Sequence, residues 1–387
     1  MTVRERFNAA LRCGEVDYIP FMMDFWDPRI PDPKTGEKHG WTDDRERLAI
    51  YREIGWDAAL RIGLPVTPLD GVRTEKRAIR DGDRAILCQK WITSAGTIEE
   101  KLQVTDDWPE AAAIYNEPGK AARIAFNDDF RTPRYIEMPF KTETDLDTLP
   151  FLFPQINPAD EQALIENHRR CRAICDEFEV PLIAYMDAGL DWLIWLFRPE
   201  EAIMLVLERP DEAKRILSAI NGAKRRRLEI LLDLGVDAVI RRGWYESTDF
   251  WNPQIFRAFA VLDLKKDIEM ARQAGAGFVY QMVTGLMPLL DDLAALDFDC
   301  LYAPEPALGH QDLRKVRACL PGKSIWGGIS GPGHLAMGSP EDVTRAVEEA
   351  FEIMGRIGFI LGTGVGFRGD WPLANLKALD GAWRRLR

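Results

Sequence analysis

Several stretches of this chain put carboxylates, arginines or phenols directly after short apolar runs, where a strand would end at the rim of a site. Asp24 follows Phe21-Met-Met23, so its carboxyl is expected to be partly desolvated and raised in pKa, which suits a general acid. A helix cap or an ion pair is the competing reading. Arg241-Arg-Gly-Trp-Tyr-Glu246 groups two guanidiniums, two rings and a carboxylate. There Tyr245 or Glu246 could donate a proton, Arg242 could hold an anion and Trp244 could wall an aromatic ring; an ion-paired loop is the alternative. Tyr185-Met-Asp187 offers a second acid, unless Asp187 only caps the next helix. Glu305 lies between Pro304 and Pro306, and Tyr280-Gln281 ends another apolar run. Alternation on a strand sends only one of that last pair inward. Trp26 and Arg29 complete the set after the first run, with Arg29 free to take a substrate anion or to pair with Asp27 or Asp32.

Near the C-terminus, Gly358-Phe-Ile-Leu-Gly-Thr-Gly-Val-Gly366 breaks from an apolar run into glycines, then Asp370-Trp371 and a helix start. Glycines at a strand's end let backbone approach a ligand where no Cβ would fit.

The elements that position these groups alternate. Strands are expected at 19–23, 58–62, 181–185, 238–240, 278–282, 300–302, 324–327 and 358–361, with amphipathic helical stretches such as 161–178, 210–234 and 340–354 between them. Eight strands alternating with helices predict an α/β fold, a (β/α)8 TIM-type barrel whose active site lies at the C-terminal ends of its strands. Residues 72–103 break the rhythm. An Asp-Gly turn in Arg80-Asp-Gly-Asp-Arg84 predicts an antiparallel hairpin inserted after the second barrel strand. Residues 72–154 read as an insertion or lid within one elaborated barrel domain spanning 1–387.

Of 387 residues, 46 % are apolar and 29 % charged, an ordinary globular balance that needs no disulfides. The net charge of -12 argues against nucleic acid as a partner. The six cysteines form no CxxC pair and read as free thiols of a cytoplasmic protein. Cys171 and Cys175, four apart, are expected as helix positions near the core. His310 and His334 are expected in loops, without metal spacing. No apolar run reaches the ~20 residues of a membrane span.

Arg4-Glu-Arg-Phe-Asn-Ala-Ala-Leu-Arg12, Val16-Asp-Tyr-Ile-Pro20, Trp326-Gly-Gly-Ile329, Gly338-Ser-Pro-Glu-Asp-Val343 and the glycine turn resemble, in order and spacing, the uroporphyrinogen decarboxylase superfamily. That superfamily also holds the corrinoid-dependent methyltransferases of methanogens and acetogens. The resemblance implies the same barrel. Its departures bear on function. Where true decarboxylases carry an Arg-Gln-Ala-Gly-Arg run for a polyanion, this chain has Phe25-Trp-Asp-Pro-Arg29. Their last-turn histidine aligns with Thr363, here a candidate substrate contact. The methyltransferase branch binds zinc through His-x-Cys and a later Cys; the matching positions are Gln281, Val283 and Val365. Two valines cannot ligate zinc, so no metal is expected.

The function so implied is transfer of a methyl group from a methoxylated, aromatic substrate to a corrinoid (cobalamin) supplied by a partner protein. Asp24, Tyr245, Glu246 and Asp187 are then the candidate acids. Trp26, Arg29, Tyr185, Arg242, Trp244, Tyr280, Gln281, Glu305 and Thr363 are the candidate substrate contacts. Metal-independent decarboxylation and a non-catalytic ligand-binding barrel remain the alternatives, and a homodimer is compatible with each.

Overall fold

The computed structural model describes residues 1–23, 30–119, 122–364 and 371–387. They form two compact units, one of Met1–Leu64, Gln162–Met186 and Leu228–Arg387, the other of Pro65–Glu161 and Asp187–Arg227.

In the first unit, seven parallel strands run side by side in the order Phe359–Thr363, Ser324–Ile329, Cys300–Tyr302, Gly277–Gln281, Ala238–Arg242, Leu182–Asp187, Leu60–Gly63. The first predicted strand closes them into a barrel. Phe21 bridges Leu361 on one edge and Met22 bridges Asp57 on the other, both in parallel. Met22 N–H donates to the Leu361 carbonyl at 2.9 Å, and Asp57 N–H to that of Phe21 at 3.1 Å. All eight expected strands are therefore present, although the first pairs only through these two residues among those described. Most strand residues are buried on both faces, which is why the runs read as continuously apolar rather than alternating.

A capping box between Thr2 and Glu5 starts the helix Val3–Leu11. Its Phe7, Ala10 and Leu11 pack among inward strand residues including Ile240, Val279 and Trp326. A Cβ on Gly277 would stand 2.2 Å from Leu11, so the smallest residue makes room for this plug. Buried Asp57 ties the start together by accepting from Arg6 Nη1 at 2.8 Å, Tyr18 at 3.2 Å and the Phe21 amide at 3.0 Å. Cys171 and Cys175 are buried on the helix Pro158–Phe178.

The second unit carries the insertion. Strands Arg73–Asp81, Arg84–Thr93, Gly96–Val104 and Tyr135–Glu137 form an antiparallel sheet. Asp81 pairs with Arg84 across a tight turn in which Gly82 takes φ +59°, as the Asp-Gly signal predicts. Leu87, Leu102, Trp108 and Ala111 form its core. Buried Glu100 is held by Arg131 and by Gln89. No helix among the described residues is long and apolar enough to cross a membrane.

Candidate active site

Neighbours in register on parallel strands point to the same side of a sheet. Gln281 aligns with Arg242 on one flank and with Tyr302 on the other; Tyr302 aligns with Trp326, and Trp326 with Ile360. Tyr302, Trp326 and Ile360 lie in the cluster that the plug helix enters, so this row faces the barrel interior. Tyr185 joins it from the Leu182–Asp187 strand and donates its hydroxyl to Gln281 Oε1 at 3.1 Å. Arg61 lies over the rings of Tyr185 and Tyr302, at 5.3 and 5.9 Å. Arg242 lies over Trp244 at 5.1 Å. Tyr302 and Trp326 stack at 4.4 Å, and Trp326 Nε1 donates to the Met22 carbonyl at 3.0 Å. Among the described residues, the top layer of the barrel is thus aromatic, with the Arg61 and Arg242 guanidiniums and the Gln281 carboxamide. A cavity of ≈ 170 Å³ adjoins it, lined by Met22, Met23, Arg61 and Trp326 among others.

The opposite faces of the same strands serve packing. Tyr280 and Arg241 turn away from the interior, toward the helix Val261–Gln273. Arg241 meets Glu246 Oε1 at 3.1 Å and Asp267 Oδ2 at 3.3 Å, and Tyr280 donates to Glu246 Oε2 at 2.6 Å. All four side chains are fully buried. Burial by itself would lower the Arg241 pKa, but Glu246, then Asp267, more than offset it and raise it. A Cβ on Gly243 would stand 2.6 Å from the Tyr280 ring and 2.7 Å from Glu246, so a glycine is needed where the chain bends around this network. Half-buried Tyr245 packs edge-on against Phe250 at 5.3 Å.

Glu305 is placed differently. Its strand ends at Tyr302, and Ala303 then takes φ +71°, a conformation costly for a residue with a Cβ. The Glu305 amide donates to the Val283 carbonyl at 2.9 Å. One carboxyl oxygen, Oε1, accepts from the Ala307 amide at 3.0 Å. The other, Oε2, is buried without a hydrogen-bond partner among the described residues, and the residue is 1 % exposed. Burial raises its pKa, against the Ser330 hydroxyl and the Ala307 and Leu308 amides, which lower it. A Cβ on Gly364 would stand 2.9 Å from the Ala303 carbonyl oxygen and 3.4 Å from Glu305 Oε2. Three strand ends, at 303–305, 330 and 364, therefore converge on this carboxyl.

The remaining expected residues are dispersed. Asp187, in the second unit, accepts from Lys224 Nζ at 2.9 Å and Asn127 Nδ2 at 2.8 Å, so it is a buried ion-pair partner rather than a helix cap. Thr363 aligns with Ile329, on the opposite face of its strand from Ile360 and Gly362. His334 is not in an open loop: it sits in the π-helical turn Gly331–Ala336, and its Nδ1 accepts the Ser330 amide at 3.2 Å. Asp24, Trp26, Arg29, Val365 and Asp370 lie outside the described residues. Arg61, Tyr302 and Trp326 were not singled out as site residues. Arg61, alone in an apolar strand, is the signal that could have found the first of them.

The donor set does not fit zinc. Gln281 is 4 % exposed and its carbonyl oxygen already accepts from Tyr185; Val283 is buried among hydrocarbon. No group of three or more His, Cys, Asp or Glu side chains converges among the described residues, and zinc needs such donors.

A closed parallel barrel with a polar, aromatic mouth defines a TIM-type α/β protein with its site at the strand ends. The profile of the uroporphyrinogen decarboxylase (URO-D) family matches residues 122–386. The chain belongs to that family. Among solved structures it is similar to a methyltransferase from Methanosarcina mazei, with TM-score 0.62 and 16 % identity over 100 % of this chain and 99 % of the other. At that identity the likeness is one of fold. A B12-independent methionine synthase from Shewanella sp. W3-18-1 matches at TM-score 0.45 and 12 % identity, over 58 % of this chain and 66 % of the other. No curated protein matches.

Proposed function

We propose that this member of the family moves a methyl group from a methoxylated aromatic substrate to the corrinoid of a partner protein, without zinc. The observation that carries this reading is the pair of inward positions Gln281 and Val283, an engaged amide and a hydrocarbon, set among aromatic rings. Neither of these two side chains can activate a thiol acceptor by metal ligation. The mouth can hold a flat ring, with Tyr302, Trp326 and Trp244 as walls and the Gln281 amide as a polar contact. The corrinoid enters as the second substrate and its cobalt(I) supplies the electron pair for the new bond to carbon. The substrate's oxygen–methyl bond breaks, its electrons stay on oxygen, and that oxygen must be protonated. Six free cysteines suit a reducing cytoplasm, the compartment this reading assumes.

Arg61 and Arg242, both at inward positions, favour a second reading, decarboxylation of a carboxylic acid held by a guanidinium. Incubation with cobalt(I) cobalamin and a panel of methoxyarenes, followed by the absorbance of methylcobalamin, tests the first. Turnover on at least one arene is expected. Release of CO2 from aromatic acids with no methyl transfer on any arene would replace it by the second. Neither activity, with ligand binding retained, would leave a non-catalytic barrel.

A further inference from the structure

We infer that Glu305 is the proton donor of this site: its buried Oε2, unpartnered among the described residues and 3.4 Å from where a Cβ on Gly364 would stand, is the oxygen that carries the proton for the departing oxygen of the substrate. The inference rests on the methyl-transfer reading and names its acid.

The geometry that supports it is unusual for a structural carboxylate. The residue is 1 % exposed, yet one of its two oxygens has no hydrogen-bond partner among the described residues. Burial without a full set of partners disfavours the ionised carboxylate. Compare Glu246, equally buried, whose two oxygens are taken by Arg241 and Tyr280. Among the described residues, the influences on Glu305 are burial, which raises its pKa, and the Ser330 hydroxyl and the Ala307 and Leu308 amides, which lower it. The ring of His334 accepts the Ser330 amide at Nδ1, and burial lowers its pKa. The carboxyl is held in place by the Pro304 and Pro306 bracket, by the positive φ of Ala303 and by its own amide on Val283. A side chain at 364 would crowd it, with a Cβ 3.4 Å from Oε2. A buried carboxyl whose pKa is raised by burial, and whose one oxygen is unpartnered among the described residues, can act as a general acid.

The step balances without a further reactant. The Glu305 hydroxyl bond breaks, its proton joins the oxygen that keeps the electron pair of the former methyl bond, and the carboxylate regains a proton from water. In decarboxylation the same proton would join the carbon that loses CO2.

Two measurements on wild type and Glu305→Gln test this. Infrared titration is expected to show a protonated carboxyl band at pH 7 in the wild type that Glu305→Gln removes. Turnover is expected to fall ~10²–10⁴-fold in kcat, with KM little changed, and to recover with an arene ether whose phenol is acidic enough to leave unprotonated. That recovery would not follow from a merely structural role. An ionised Glu305 at pH 7, or full turnover in Glu305→Gln, overturns the proposal. An intact band with no wild-type methyl transfer sinks the methyl-transfer reading instead, and leaves Glu305 as the proton holder.

Discussion

Arg241→Met is expected to destabilise the barrel by ~3–5 kcal/mol, the usual cost of stripping one partner from a buried ion pair. The guanidinium is fully buried and meets two carboxylates, Glu246 at 3.1 Å and Asp267 at 3.3 Å. Its removal takes the Arg241 counter-charge away from both carboxylates behind the sheet. Tyr280 still donates to Glu246, but a phenol cannot neutralise it. Urea unfolding of the variant should show a midpoint shifted far below wild type. Arg241→Met with Glu246→Gln and Asp267→Asn should recover much of the loss, because the stranded charges are gone. A midpoint within ~1 kcal/mol of wild type for Arg241→Met alone would contradict the assignment of Glu246 to this network.

Gly364→Ala should act on the chemistry more than on the fold. The new Cβ would sit 2.9 Å from the Ala303 carbonyl oxygen and 3.4 Å from Glu305 Oε2. Ala303 already takes φ +71°, so its carbonyl has little freedom to yield. The displacement passes to the carboxyl and to the space before it. A misplacement of ~1 Å can cost about 10²-fold in rate, and that fall in kcat is expected, with the overpacking costing ~1–3 kcal/mol. Steady-state kinetics beside a thermal melt separate the two effects. Unchanged kcat would show that Glu305 and Gly364 are not part of one reaction space.

The barrel was legible because its signals are local. Short apolar runs bounded by turns mark the parallel strands, and Asp81-Gly82 marks the hairpin. The site was legible only as a set of strand ends. Sequence order gathers Arg241 to Glu246 into one cluster, but the fold divides it: Arg242 and Trp244 lie on the inward side, whereas Arg241 and Glu246 form an ion pair behind the sheet. Which face a residue takes depends on register, and a run buried on both faces carries no alternation to reveal it. Tyr280 and Gln281 illustrate the point. One inward residue was expected of the pair, but not which: Gln281 meets Tyr185 while Tyr280 meets Glu246. Glu305 reads in sequence as one rim carboxylate among several. Its burial arises from the distant partners Val283, Ser330 and Gly364, which no local pattern brings together.

Elemental analysis of protein purified without chelators tests the proposed zinc-independence of the mouth most directly. Far less than one zinc per chain is expected, with activity unaffected by dialysis against a strong chelator. One zinc per chain, retained by wild type and lost together with activity in Glu305→Gln, would contradict it, for the lone oxygen would then be a ligand and not an acid.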